Sequence, residues 1–150
     1  MTINDPMRIL ENILSERKPG YVIEAVTLLS ELSEKNNARC IAGILKLLDD
    51  AAPDELMYAL VHAVEKSDGV IYCKAVLDAV ERLWTISPQW AERLHVRIMN
   101  SPATADAYLS LLDSTPPTTR STVRAIYEAV ARNRPKLSDK VSSFIARLPA

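Results

Sequence analysis

Apolar residues recur every three or four positions along most of this chain, a spacing typical of amphipathic helices. Leu56, Leu60 and Val64 mark one such face, and Val141 and Ile145 mark another. No segment shows the apolar and polar alternation that is typical of a half-buried strand. The pattern therefore predicts an all-α protein with nine short helices, at about residues 5–17, 19–35, 37–49, 53–66, 69–85, 88–99, 102–113, 117–133 and 138–148.

Prolines mark where several of these helices begin. Asp5-Pro6, Ser87-Pro88 and Ser101-Pro102 each place an oxygen-bearing side chain before a proline. Proline suits the first helical position because it has no N–H to leave unpaired, and the preceding side chain can accept a hydrogen bond from a free N–H. Asn37 and Ser138 are predicted to cap helices without a proline.

Helices this short are marginally stable alone and must pack against one another. Short turns between them favour antiparallel pairs, each about the size of a helical-repeat unit. The length of 150 residues suits one domain with a sizeable core. We therefore predict a single helical domain over residues 1–150, either a HEAT-like right-handed stack or a compact bundle of the same helices.

The net charge of −1 conceals an uneven distribution. Residues 49–68 contain six acids and one base, whereas residues 120–147 contain seven bases and two acids. The basic footprint that is typical of a whole nucleic-acid-binding domain is missing, so no direct nucleic-acid binding is predicted. No apolar run approaches the length of a membrane span, and no apolar signal-peptide core opens the chain. We therefore expect a cytoplasmic protein without a membrane partner.

Acidic residues cluster where the third predicted helix ends and the fourth begins. Acids at a helix C-terminus are disfavoured by the helix dipole, which indicates selection for a negative surface, although a solvated loop is an equally good explanation. We call these residues the acidic group and predict that they bind a partner: Asp49, Asp50, Asp54 and Glu55, with Asp68 as an extension. The alternative partner surface is the basic C-terminal face, with Arg124, Arg132 and Arg134.

Two pairs of ionisable residues could carry chemistry. Glu92 and His95 have the Glu-x-x-His spacing of di-iron bundles, and His62 and Glu65 have it reversed. Such metal sites need a second motif and two further glutamates, so internal hydrogen bonds are the favoured interpretation. No Cys-His cluster has zinc spacing and no glycine-rich phosphate loop occurs. We predict no catalytic residues, no metal and no cofactor, and hence a protein that is not an enzyme.

Structural roles are predicted for five further residues. Trp90, in the first turn of the sixth predicted helix, is expected to pack between helices rather than to contact a partner. Arg97 is expected to interact with the C-terminal end of that helix, and Asn100 to end it in a left-handed conformation. Cys40 and Cys73 lie on apolar helical faces; a disulfide is one option, and buried thiols are favoured.

Residues 54–102 also carry a set of polar and aromatic positions on otherwise apolar helices: Asp54-Glu55-Leu56-Met57, His62, Glu65, Tyr72, Ser87-Pro88-Gln89-Trp90-Ala91 and Arg97-Ile98-Met99-Asn100-Ser101. In this order and spacing they resemble the immunity protein 30 family of bacterial polymorphic toxin systems. The resemblance implies a cytoplasmic protein that binds and neutralises one cognate toxin domain, for instance in contact-dependent inhibition. The partner would be the C-terminal domain of a large secreted effector, such as a nuclease, and no cofactor is implied.

Two other functions fit the same residues. A helical-repeat adaptor or scaffold that binds another cellular protein is the main alternative. A metal-dependent bundle enzyme using Glu92 and His95 is a weaker one.

Overall fold

Helices make up the computed structural model, which describes residues 6–33 and 38–149. The all-α prediction is confirmed, and no strand occurs among the described residues. The predicted caps Asp5 and Asn37 lie outside those residues. The α-helices within them are α1 (Pro6–Glu16), α2 (Tyr21–Ser33), α3 (Ala38–Leu45), α4 (Asp54–Glu65), α5 (Gly69–Ile86), α6 (Pro88–Asn100), α7 (Pro102–Leu112), α8 (Pro117–Asn133) and α9 (Ser138–Ile145), with a short 3-10 helix (Pro135–Leu137) before α9.

The ends of the early helices differ from the predicted ones for identifiable reasons. The connection between α1 and α2 contains two left-handed residues, Arg17 at φ 49° and Gly20 at φ 82°, so α2 begins only after Gly20. The third helix was predicted to continue to residue 49, but it ends at Leu45. Leu47 and Leu48 instead donate tighter turn hydrogen bonds to carbonyls three residues back.

Helix α5 lies in the middle of the molecule, in contact with α3, α6, α7 and α8. Helices two apart in the chain also pack together: α2 with α4, α3 with α5, α5 with α7, and α6 with α8. Helices α4 and α6 do not pack closely along their lengths, and long side chains bridge them instead. The HEAT-like stack stays a prediction, as does the compact bundle.

The serine caps were predicted wrongly, although prolines do begin α6, α7 and α8. Ser87 occupies the N-cap position of α6, but its buried hydroxyl donates a 2.7 Å hydrogen bond to the Leu48 carbonyl. The Asp50 carboxylate caps α6 instead, accepting from the N–H groups of Gln89 at 3.0 Å and Trp90 at 3.1 Å. The loop before α4 therefore supplies the N-terminal cap of α6.

The other two serines also fail to cap. The Ser101 hydroxyl donates to the Thr104 hydroxyl at 3.0 Å and makes no capping bond to α7. Ser138 is already the first residue of α9, and no side chain of residues 6–33 or 38–149 caps that helix.

The packing role predicted for Trp90 is confirmed. Its side chain is 1% exposed. The Tyr58 ring meets the indole edge-on, with ring centroids 4.9 Å apart, and the Arg93 guanidinium lies 4.7 Å from the indole centroid. Trp90 thus fills space between α4 and α6.

In the part of the chain that the structure describes, no helix combines the length and apolar character that a membrane crossing needs.

Candidate functional site

The acidic group is placed at both ends of α4. Asp49 and Asp50 lie in the loop before α4, and Asp54 and Glu55 form its first turn. Asp68 lies beyond the other end, before α5. A helix of 12 residues is about 18 Å long, so Asp68 does not join the other four in one compact patch.

Two members of the acidic group form ion pairs within the molecule. The Asp49 carboxylate accepts a 2.9 Å hydrogen bond from the Ala51 N–H and lies 3.5 Å from the Arg17 guanidinium. Asp54 lies 3.2 Å from the Arg93 guanidinium of α6. The carboxylates of both pairs are about half exposed or more, where such contacts stabilise little, but the pairs reduce the negative charge that this surface presents.

Two further members of the acidic group cap the N-termini of helices. Asp50 caps α6, as described above, and Asp68 caps α5 by accepting from the N–H groups of Val70 at 2.9 Å and Ile71 at 3.3 Å. Glu55 is exposed and makes no hydrogen bond or ion pair with the described residues. These internal roles do not test partner binding, and the acidic group stays a prediction.

A second feature lies at the opposite end of α4. There the α4–α5 and α6–α7 turns meet around an open cleft with a volume of about 670 Å³. We call it the helix-end cleft, because α4 and α6 end there and α5 and α7 begin there. It is lined by Glu65, Ser67, Gly69, Tyr72, Arg97, Ile98, Asn100, Ser101, Ala103 and Thr104.

An ion pair crosses the helix-end cleft. Arg97 donates from Nε to Glu65 Oε2 at 2.8 Å and from Nη2 to Glu65 Oε1 at 2.7 Å. This two-pronged geometry is the strongest form of such a pair. The hydrogen bonds to Glu65 raise the pKa of Arg97 above its usual value. The predicted bond between Glu65 and His62 is therefore wrong, because Glu65 turns toward α6 while His62 is exposed on the outer face of α4.

Asn100 also differs from its predicted role. It is the last residue of α6 and has no left-handed backbone; among the described non-glycine residues only Arg17 has a positive φ. Helix α6 ends instead where the Ser101 N–H donates to the Ile98 carbonyl at 3.2 Å. The exposed Asn100 side chain therefore lies at the cleft and takes no part in ending the helix.

Tyr72 is the unusual residue of the helix-end cleft. It is 3% exposed, yet its hydroxyl makes no hydrogen bond with any residue that the structure describes. Among the described residues no other buried side-chain polar atom is unpaired. Burial first, and then the nearby Glu65 charge, raise the pKa of Tyr72 far above its usual value, so the hydroxyl keeps its proton. Buried polar groups are almost always paired, so an unpaired one indicates a position where a ligand could complete the hydrogen bonding.

Glu92 and His95 make the internal hydrogen bonds that were favoured over a metal site. Glu92 accepts from the Asn133 amide at 3.1 Å to each carboxylate oxygen. His95 is fully buried, with Nδ1 2.7 Å from the Ala91 carbonyl and Nε2 2.5 Å from the Tyr108 hydroxyl. Burial lowers the pKa of His95 to about 4, so the ring is neutral. No three His, Cys, Asp or Glu side chains among the described residues converge as metal ligands.

The two cysteines form no disulfide with each other. Cys73 is buried, with its sulfur 3.5 Å from the Thr104 carbonyl, and burial raises its pKa to about 11. Cys40 is half-buried. The high pKa makes the Cys73 thiol a poor nucleophile at neutral pH.

An outer face of α4 connects the two features. Glu55, Tyr58, His62 and Glu65 recur at helical spacing and are exposed or half-buried. Tyr58, at 37% exposure, is an aromatic side chain of the kind enriched in protein interfaces. The face therefore runs from the acidic group to the helix-end cleft.

Sequence reasoning did not assign the cleft residues to a site. Six of them were among the positions that carried the family resemblance: Glu65, Tyr72, Arg97, Ile98, Asn100 and Ser101. That resemblance was the available signal. Each of these residues, taken alone, suggested a structural role. The contacts between them could not be predicted, because those contacts depend on how α4 and α6 are placed.

The comparisons with known proteins give one match. The family model described as immunity protein 30 matches residues 8–108, which is well over half of the chain. It begins within α1 and ends within α7, and it includes the acidic group and the whole helix-end cleft. No curated protein and no solved structure matches the chain significantly. The chain belongs to the immunity protein 30 family.

Proposed function

We propose that this protein binds and neutralises one cognate bacterial toxin domain by forming a tight protein complex with it. The family match over residues 8–108 carries the proposal. The toxin domain is proposed to be the C-terminal part of a large secreted effector, and the cytoplasm is the proposed site of neutralisation. The mode is binding rather than catalysis, which is supported by the burial of His95 and Glu92 in internal hydrogen bonds.

The proposed interface is the outer face of α4 together with the acidic group. An interface of standard size buries about 800 Å² on each partner, and an α4 length of about 18 Å fits within such a patch. If the toxin is a nuclease, it must present Lys and Arg to grip phosphates, and carboxylates on the inhibitor complement them. Complementary charge mainly speeds association and rejects wrong partners.

Co-expression tests the function directly. A candidate toxin domain encoded by a neighbouring gene would be produced in a sensitive bacterium with or without this protein. We expect growth only when the protein is present, and we expect the purified pair to elute together in size-exclusion chromatography. Growth arrest despite this protein, with separate elution of the two chains, would contradict the proposal. Capture of another cellular protein but not the toxin would favour the adaptor alternative.

The acidic surface is best probed at Glu55, because its side chain has no internal role among the described residues. Asp50 is unsuitable, since its loss would also uncap α6. Glu55→Lys should slow association with the toxin and weaken its dependence on salt. Glu128→Lys makes the same change of charge at an exposed position on α8, among the bases of the alternative surface. An association rate for Glu55→Lys equal to that of the wild type would remove Glu55 from the interface, and faster association of Glu128→Lys would favour the basic C-terminal face.

A further inference from the structure

Unpaired hydrogen-bond donors collect in the helix-end cleft. Helix α7 begins at Pro102, which has no N–H, and no side chain in the described part of the chain caps the helix. The N–H groups of Ala103 and Thr104 consequently make no hydrogen bond with the described residues. The Tyr72 hydroxyl is a further donor without a partner among these residues. Arg97 uses Nε and Nη2 for Glu65, and its Nη1 makes no hydrogen bond with the described residues.

Several acceptors around the same cleft are already occupied. The Val64 carbonyl at the end of α4 accepts from both the N–H and the hydroxyl of Ser67. The Ile98 carbonyl at the end of α6 accepts from the Ser101 N–H. The Glu65 carboxylate accepts twice from Arg97. A cation or a hydrogen-bond donor would compete with Ser67, Ser101 and Arg97 for these acceptors, whereas an anion would find several free donors.

Resting on the function proposed above, we propose that the helix-end cleft binds a carboxylate side chain inserted by the toxin. The partial positive charge at the beginning of α7 and the free Nη1 of Arg97 attract the negative charge, against the partial negative charge at the ends of α4 and α6. The buried Tyr72 hydroxyl donates a hydrogen bond to it. A single negative charge suits the site better than a phosphate dianion, because Arg97 is already largely neutralised by Glu65, whose own carboxylate repels a second charge.

Tyr72→Phe tests this proposal with the least disturbance. The substitution removes one hydroxyl that has no partner in the free protein, so the urea midpoint of unfolding should stay the same or rise. Affinity for the cognate toxin should fall about tenfold or more, because a hydrogen bond to a charged group is lost. Tyr127→Phe is the matched control: its hydroxyl donates to the His95 carbonyl at 2.8 Å, outside the cleft. That variant should lose stability and keep toxin affinity.

A second measurement does not require the toxin. Acetate titrated at constant ionic strength should shift the amide NMR signals of Ala103 and Thr104 saturably in the wild type. The shifts should weaken in Tyr72→Phe. Sodium phosphate serves as the competing oxyanion, and tighter binding of phosphate than of acetate would overturn the assignment to a carboxylate.

The outcomes separate this inference from the proposed function. If the wild-type protein binds the toxin and Tyr72→Phe binds equally well, the inference is overturned while the function stands. If the wild-type protein neither binds nor protects, the function fails, and the acetate titration then decides whether the cleft is an anion site at all. When the inserted Asp or Glu of the toxin is changed to its amide, the affinity of the complex should fall in the same way. In the double mutant with Tyr72→Phe, the two losses of affinity should not add.

Discussion

The burial of His95 predicts that the stability of this protein depends on pH. The ring lies between Tyr108 and Tyr127, with each pair of ring centroids 5.4 Å apart, and no part of it is exposed. Because the neutral ring donates through Nδ1 to the Ala91 carbonyl, its Nε2 accepts from the Tyr108 hydroxyl. Protonation would replace that acceptor with a second N–H facing a hydroxyl, and would place a charge in the core.

The sign and size follow from the two pKa values of His95. The pKa is about 4 in the folded protein and 6.5 in an unperturbed chain. As pH falls from 6.5 toward 4, the unfolded chain takes up a proton that the folded chain does not, so the free energy of unfolding decreases. Above 6.5 this contribution is fully present, and below 4 no further loss occurs. The whole difference corresponds to about 3 kcal/mol, of which about 2 kcal/mol should be lost by about pH 4.5.

Urea unfolding followed by circular dichroism at several pH values between about 7 and 4.5 measures this effect. His95→Gln should be less stable than the wild type at neutral pH but should lose about 2 kcal/mol less on acidification. The comparison of slopes removes the contribution of carboxylates, which both proteins share. His62→Gln is the control, because His62 is exposed and should leave the wild-type slope unchanged. Parallel pH profiles for the wild type and His95→Gln would refute the reasoning.

Three further predictions concern stability, each measured by the free energy of unfolding in urea. Trp90→Ala should cost about 3–5 kcal/mol because it empties the space between α4 and α6; unchanged stability with lost toxin binding would place Trp90 in the interface instead. Asp50→Ala should cost about 0.5–2 kcal/mol by uncapping α6, and Asp50→Asn, which keeps an acceptor oxygen, should cost less. Gly20→Ala should destabilise by about 1 kcal/mol because φ is positive there, whereas Gly69→Ala, with open space and helical backbone, should not; equal effects would contradict this.

The helices from α4 to α8 were predictable from the sequence almost to the residue. Their apolar stripes and the prolines at the beginnings of α6, α7 and α8 are local signals. Capping was less predictable, because the cap of α6 comes from Asp50, about 40 positions before the N–H groups that it binds. A serine before a proline suggested a nearer cap, but the hydroxyl of that serine donates to the Leu48 carbonyl instead.

The candidate site depends even more on tertiary structure. Glu65 and Arg97 are 32 positions apart, and nothing in the spacing of either helix predicts that they pair. The unpaired state of the Tyr72 hydroxyl results from what surrounds it rather than from its position in α5. The sequence alone shows which residues make up the acidic group. The ion-pair partners of Asp49 and Asp54 can be identified only from the folded structure.

The packing of α8 against α6 limits how toxin recognition could be transferred between members of this family. The family match ends at residue 108, yet Tyr127 of α8 donates to the His95 carbonyl of α6, and Asn133 holds the Glu92 carboxylate. A chimaera built from residues 8–108 alone would separate α6 from the helix that packs against it. The smallest transplantable specificity module should therefore extend through α8, to residue 133.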